Sequence, residues 1–452
     1  MAHERPNFVI FYTDDQGYGD LSCMGATDFR TPHLDALADS GVRFTDWYSN
    51  SPVCSPSRAS LLTGRYPVHE GVRSILAGHR QATGLTPQVP TIATALQKAG
   101  YRTAMFGKWH LGVAEECRPH HNGFDEWFGF MAGCIDYYSH IFYWGMSGQQ
   151  DPVHDLWENG VEILENGRYF TEMITERTVQ WINRIAADDA PFFLFVPYNA
   201  PHYPMHAPQR YLDRFPDLAW DRQIMAAMLS AVDDSVGEIL ETLSRHGLRD
   251  NTLAFFQSDN GPSRETRNWL DGVRDPYYGG SAGKLKGHKF SLYDGGIRMP
   301  ALMSWPARIP SGRVISEMGA AMDIFPTFLS AAGVSAEGYQ VDGRDVLPMV
   351  TNGAPSPHQR LFWEQGNQTA VRQGHWKLVL NGQLVEGAPP EDAVHLSNLG
   401  EDMGERVNLA EREPTVTAEL KAAAEAWRAD IDHHWDTVWA PGATLHTGNP
   451  PR

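Results

Sequence analysis

The chain has 452 residues, 42% of them hydrophobic and 11% aromatic, with 37 Lys plus Arg against 55 Asp plus Glu and a net charge of -18. That length allows two or three domains, or one large α/β domain with a small companion, and the apolar content is ample for a sizeable core. The negative balance argues against nucleic acid or an anionic membrane as main partner, though a local group of cations can still hold a small anion.

In chain order, "FVIFYT" (8–13) predicts a strand buried on both faces, ending in Asp14-Asp15-Gln16-Gly17. "TPHLDALADSG" (31–41) predicts a helix with Thr31 as its cap, Pro32 in its first turn and Gly41 as its stop. "VRFTDWYS" (42–49) reads as the next strand. Cys54 follows in "NSPVCSPSRASLLTGRYP" (50–67), a polar setting that suits exposure better than packing, just ahead of a helix beginning at Ser55-Pro56. Helix and strand alternate again in "TIATALQKAG" and "YRTAMFGKWH" (91–110). A helix over 171–188 precedes "PFFLFVPY", one over 219–246 precedes "TLAFFQSDNG", and "PALMSWP" (300–306) is a further strand. This βα alternation predicts an α/β fold, a large, mostly parallel sheet covered by helices on both faces. Residues 262–290 hold no periodicity, and a loop of that length in a compact domain is usually functional or mobile. Beyond the Gly- and Pro-rich stretch 333–360, "LFWEQG", "TAVRQG", "HWKLVL" and a helix over 413–431 predict a smaller C-terminal α+β domain with an antiparallel sheet. We therefore divide the chain into 1–350 and 351–452.

Cys23, Cys54, Cys117 and Cys134 form no CxxC pair and are too sparse for a disulfide framework. The first residues carry no apolar leader, and no run of 18 apolar residues follows. The expectation is a soluble cytoplasmic protein, or a periplasmic one if a leader has been removed.

The reactive residues fall at the carboxyl ends of predicted strands, where open α/β sheets bind ligands. Asp14, Asp15 and Asp259 with Asn260 make an all-oxygen set suited to Ca²⁺ or Mg²⁺ over Zn²⁺, and Ca²⁺ tolerates irregular shells better. "DDQG" and "SDNG" are also ordinary turn sequences. Arg58, Lys108, His110, His202 and a lysine of the 284–289 loop could surround one anion, the alternative being solvated surface charge. The i, i+2 spacing of Lys108 and His110 puts them on one face of a strand. Cys54 has two readings. As a thiolate it gains from a helix N-terminus and Arg58, both of which lower a thiol pKa, with His110 or His202 as base. In the other, the thiol is not the final functional group.

"CSPSR", followed by "LLTGR", resembles the signature of type I sulfatases, in which the Cys of C-x-P-x-R is oxidised to Cα-formylglycine. "NFVIFYTDDQGYGDL", "GKWHLG", "APHYP", "SDNG", "LYDGGIRMP" and "EDMGERVNLA" follow the family order over nearly the whole chain. The resemblance implies an alkaline-phosphatase-like α/β domain with a smaller C-terminal domain, one bound divalent cation, usually Ca²⁺, and hydrolysis of sulfate esters. By matching motif it implies that Asp14, Asp15, Asp259, Asn260 and the group made from Cys54 hold the metal. Arg58 and Lys108 would orient the hydrated aldehyde, with His110 beside it, and His202 and a lysine would meet the sulfate. Among Lys284, Lys286 and Lys289 the spacing to the acidic residue before two glycines selects Lys289.

An aldehyde hydrate offers two hydroxyls on one carbon, one to attack sulfur and one to lose its proton as sulfate leaves. His202, with Lys289, would protonate the leaving oxygen and His110 would take the second proton. His140 resembles a position near the pocket of some sulfatases acting on sugars, inside an aromatic rim "DYYSH" (136–140) and "FYW" (142–144), for which core packing is the plain alternative. The implied partners are a small aryl or sugar sulfate and a formylglycine-generating maturation enzyme that reads Pro56 and Arg58. A phosphonate monoester or phosphodiester hydrolase of the same superfamily is the second reading, and a non-catalytic binding homologue the third. The residues do not specify the oligomeric state.

Overall fold

The computed structural model describes residues 5–142, 152–264 and 278–440. Its centre is a ten-stranded sheet. In spatial order the strands are Arg313–Ile315, Val42–Phe44, Ala301–Ser304, Thr252–Ser258, Asn7–Thr13, Phe192–Pro197, Arg102–Lys108, Glu126–Phe130, Trp157–Glu158 and Val161–Glu162. The five strands from Thr252–Ser258 to Glu126–Phe130 are parallel, while Ala301–Ser304 runs antiparallel to both neighbours. All of Asn7–Thr13 is buried. Its period of two sends Val9 and Phe11 into one core layer and Phe8, Ile10 and Tyr12 into the other. Helices Pro32–Asp39, Phe170–Ile185 and Trp220–Arg245 cover the first layer; Cys54–Thr63, Ile92–Lys98 and Ile324–Ala331 cover the second. Among the described residues no helix is long and apolar enough to cross a membrane.

Three local expectations are corrected. "VRFTDWYS" is two strands: Val42–Phe44 joins the large sheet, whereas Trp47–Tyr48 pairs with Gly319–Ala320. Between them Thr45 and Asp46 turn to meet Arg298. Thr31 does not cap its helix through its side chain; Asp233 of Trp220–Arg245 does so, accepting from His33 N at 3.1 Å and Leu34 N at 2.8 Å. Cys54 begins its helix instead of preceding it and is 1% exposed, because the polar residues around it face a buried charge cluster rather than water.

The C-terminal region is a four-stranded antiparallel sheet of Leu361–Gln365, Gln368–Gln373, Trp376–Gly382 and Asp392–Asn398, the last strand lying beyond the three predicted. Helix Pro414–His434 buries Leu420, Ala424 and Ile431. The sheet packs on the larger domain through Trp363, Ala370 and Val379 against Tyr48, Leu292 and Ile297. A buried ion network lies beside that contact. Lys377 Nζ is 2.7 Å from Asp294 and 3.1 Å from Glu405, Arg372 reaches Asp46 at 2.6 Å, and Arg298 joins Asp46 and Asp294 at 2.7 and 3.1 Å. Burial pushes the Glu405 carboxyl up to about 7 against the pull of Lys377. Asp294 is held down to about 2 because Lys377, Arg298 and Arg372 together overcome its burial.

A carboxyl that titrates near 4.5 in the unfolded chain and near 7 in the folded one stays protonated in the fold while the unfolded chain ionises. Glu405 therefore subtracts stability as pH rises through that window, with no further change above it. The urea midpoint of the parent protein, measured relative to Glu405→Gln, should fall from pH 4.5 to 7 and then level off. A difference independent of pH would refute the assignment.

Candidate active site

Four parallel strands bring the reactive groups to one edge. Asp14 and Asp15 follow Asn7–Thr13, Asp259 and Asn260 follow Thr252–Ser258, Lys108 ends Arg102–Lys108, and His202 lies just past Phe192–Pro197. All are buried, as are Cys54, Arg58, His110 and Lys289. Lys108 Nζ contacts Asp14 Oδ2 at 2.5 Å, reaching past the end of the intervening strand. Gly107 permits that approach, since at its φ of +141° a Cβ would lie 1.9 Å from the Pro197 carbonyl. Arg58 donates to Asp259 Oδ2 at 3.0 Å and to the Lys108 carbonyl at 3.2 Å, and lies 3.5 Å from Asp14 Oδ1. Asp15, at φ +62°, receives Asn260 Nδ2 at 2.7 Å and Lys289 Nζ at 3.0 Å. Lys289 is thus the lysine of its loop that lies at the cluster. Lys286 instead pairs with Glu391 at 2.6 Å, and Lys284 is exposed.

The protonation states follow from this crowding. Burial raises the Asp14 pKa, but Lys108, His202 and Arg58 hold it well below the usual range. Burial and the charge of Asp14 push Asp259 well up. Burial also pushes the Cys54 thiol well above its ordinary value, more than Lys108 and Lys289 lower it, which corrects the expected activation as a thiolate.

His110 lies beyond the strand end at φ +54°, so strand alternation does not direct its side chain as the i, i+2 spacing predicts. Burial and then Lys108 keep it neutral. Its Nε2–H donates to Leu76 O at 3.2 Å, which leaves the buried Nδ1, without a hydrogen-bond partner among the described residues, as the basic atom. His202 is oriented oppositely. Its Nδ1–H donates to Tyr203 O at 2.7 Å, so Nε2 faces Lys289 Nζ at 3.4 Å and Asp15 at 3.6 Å.

The donor set fits a hard cation. Asp14 Oδ1 and Asn260 Oδ1 are buried acceptors that receive no hydrogen bond among the described residues. One ligand atom each from Asp14, Asp15, Cys54 and His202 also lies within 4.8 Å of the others. His202 is the poorest member of that group, because the Lys289 ammonium stands against the nitrogen it would offer. Two of the candidate oxygen ligands have both carboxylate oxygens engaged: Asp15 by Asn260 and Lys289, and Asp259 with Oδ1 taken by Asp15 N at 3.0 Å and Oδ2 by Arg58.

His140 is not brought to the cluster: its Nε2 meets Arg168 O at 3.1 Å and its ring lies by His154 and Phe170. Of the aromatic rim, residues 143 and 144 lie outside the described residues, and Tyr137 is a packed residue with a polar task. Its hydroxyl lies 3.0 Å from Asn199 O and 2.9 Å from His202 O, tethering the His202 loop. Sequence reasoning missed this tether, and also Ser57, whose Oγ donates to Asp259 O at 2.6 Å and meets Tyr12 OH and Ser49 Oγ. Its place one residue before Arg58 is the only signal that could have drawn attention to it.

The Sulfatase family profile matches residues 6–334, a span that contains every residue of this cluster. The chain belongs to the sulfatase family. A second profile, N-sulphoglucosamine sulphohydrolase, C-terminal, matches 287–427. Arylsulfatase J of Mus musculus is 31% identical over 463 residues, covering 92% of this chain and 74% of its own. N-acetylgalactosamine-6-sulfatase of Homo sapiens is 33% identical over 476 residues, covering 97% and 87%. The solved structure of Ps i-CgsB in complex with k-i-k-neocarrahexaose superposes with a TM-score of 0.84 at 28% identity, covering 98% of this chain and 99% of the other. This sulfatase is accordingly an enzyme that hydrolyses sulfate esters.

Within the active-site cluster Arg58 is shared by two buried carboxylates, Asp14 and Asp259. Arg58→Ala should lower the unfolding free energy by about 3–5 kcal/mol, the usual cost of stranding a buried charge. Arg58→Lys should recover only part of it, since a single ammonium lacks the planar fork. Urea titrations of the three proteins check both statements.

Proposed function

We propose that this site hydrolyses a carbohydrate sulfate, using a formylglycine made from Cys54 and one Ca²⁺, with Mg²⁺ as the alternative ion. The observation that carries the reading is the position of Cys54. It opens a helix with its sulfur inside a shell of Asp14, Asp15 and His202, flanked by the charges of Lys108 and Lys289. The thiol itself is poorly suited to attack, being buried and held protonated. A hydrated aldehyde at this carbon supplies one hydroxyl as nucleophile and a second whose proton can be removed. Asp14, Asp15, Asp259 and Asn260 would hold the divalent cation, which would supply Lewis-acid stabilisation of charge developing on the sulfate.

The chain's own groups do the rest. Arg58 and Lys108 fix the carboxylates and present positive charge to the nucleophile. His110 Nδ1 accepts a proton, its opposite nitrogen being committed to Leu76. Lys289 and His202 Nε2 converge where the ester oxygen departs; the Lys289 ammonium carries a proton it can deliver there, whereas His202, its Nδ1–H committed to Tyr203 O, can do so only once Nε2 is protonated. With Asp259 ionised against a bound divalent ion, three cations and three carboxylates balance, and the ion would leave net positive charge for a sulfate ester. The similarity to an N-acetylgalactosamine-6-sulfatase and to a structure holding k-i-k-neocarrahexaose favours a sugar over an aryl substrate.

Cys54, Pro56 and Arg58 are buried, so a maturation enzyme of the formylglycine-generating class must read them before the chain folds. We propose a cytoplasmic location, or a periplasmic one if a leader has been removed, on the reading of sparse, unpaired cysteines.

The tryptic peptide spanning 44–58, from protein made alongside such an enzyme, should carry the aldehyde or its hydrate by mass spectrometry, and Cys54→Ala should abolish sulfate release. A peptide holding only the thiol, with the maturation enzyme active on a control, would move the reading to another nucleophile. Metal analysis after dialysis against Ca²⁺ should find one ion per chain, lost together with activity in Asp259→Ala. Full metal content in that variant would remove Asp259 from the ligand set.

A further inference from the structure

Lys289 reaches the cluster from a segment, 278–293, that has neither helix nor strand to hold it. The next residue, Phe290, adopts φ +71°, a left-handed conformation that a bulky side chain keeps only when its surroundings enforce it. Two contacts come from the catalytic domain: Lys289 N donates to Pro262 O at 3.0 Å, and Phe290 N donates to Pro52 O at 3.1 Å. The other face of this backbone is held by a side chain from the C-terminal sheet.

Gln368, 1% exposed at the start of Gln368–Gln373, donates its Nε2–H to Phe290 O at 2.8 Å. Its Oε1 accepts from Leu292 N at 3.3 Å and from Gln383 N at 3.0 Å. One carboxamide thus satisfies a carbonyl and an amide two residues apart on the lysine-bearing segment, while anchored to its own domain. Its backbone is braced in turn: Arg428, from helix Pro414–His434, donates to Gln368 O at 3.1 Å. The chain of contacts runs from the C-terminal helix through Gln368 and Phe290 to Lys289, and so to Asp15 and His202.

We propose that Gln368 is a positioning residue for Lys289, through which the C-terminal domain completes the active site. The proposal rests on the reading that Lys289 meets the sulfate. Only a carboxamide of this length fits: glutamate lacks the donor for Phe290 O, and methionine lacks both functions. Without the bond to Phe290 O, the C-terminal region keeps only the His288 N–Leu384 O bond, at 3.1 Å, beside this left-handed turn, and the Lys289 ammonium moves away from Asp15. A catalytic group displaced by about 1 Å can cost up to about a hundredfold in rate.

The test is a double-mutant cycle on the full-length, matured protein, with N-acetylgalactosamine 6-sulfate as substrate, whose alkoxide leaving group needs a proton, and urea midpoints recorded for each variant. Gln368→Met should lower kcat by about tenfold or more. In a Lys289→Ala background the same change should cost less than about twofold, because the group it positions is gone. Losses that multiply in the double variant, or near-normal turnover in Gln368→Met, would overturn the proposal. Normal turnover in Lys289→Ala would instead sink the reading of Lys289, and the role of Gln368 with it. Should Gln368→Met fail to fold, Gln368→Glu takes its place, since it keeps the acceptor and loses the donor to Phe290.

Discussion

Lys108 and Asp14 meet at 2.5 Å in a place where neither side chain touches water, and Arg58 closes on Asp259 beside them. Isolated, each of these charges would cost several kcal/mol of desolvation, and breaking such a pair costs about as much. The arrangement of the strand ends answers to that requirement. Asp14 and Lys108 belong to strands separated by Phe192–Pro197, about 10 Å apart at ordinary strand spacing. Their contact needs the close approach that Gly107 allows at Pro197. Among the described residues Asp14 Oδ1 and Asn260 Oδ1 are left without hydrogen-bond donors, two buried acceptors of the kind a cation can use. Stability and chemistry draw here on one set of charges.

A second buried network repeats the logic at the domain junction. Asp46 and Asp294 are each held by two cations, and Lys377 of the C-terminal sheet crosses to Asp294 while pairing with Glu405 of its own region. Asp46 lies eight residues before Cys54, and Asp294 five after Lys289. Trp363 adds a third tie, donating to Ser49 O at 2.7 Å, while Ser49 in turn meets Ser57. Both chemically active segments are therefore braced by the small domain. A buried ion pair is weak evidence for net stability, but paired geometry of this kind specifies one arrangement over its alternatives.

Much of the site was legible along the chain because its carboxylates and Lys108 sit directly after apolar runs that can only be central strands. Other features were not. The polar residues around Cys54 read as a surface loop, because composition does not tell a charge cluster from solvent. His110 read as a strand neighbour of Lys108, yet one left-handed residue past the strand end redirects its ring. Tyr137 read as a rim and is a tether, a difference that depends on where the His202 carbonyl lies.

The sequence by itself determined the inventory: alternating βα segments, the acidic strand ends, the C-x-P-x-R segment and a separate antiparallel domain. These are legible because periodicity and residue type act over a few positions. Only the tertiary structure decided which lysine of 284, 286 and 289 enters the cluster, that His140 stays out, and that Gln368 reaches Phe290. Such choices depend on strand order, domain docking and backbone angles outside regular elements. They join residues up to 274 positions apart, a separation over which local pattern carries no information.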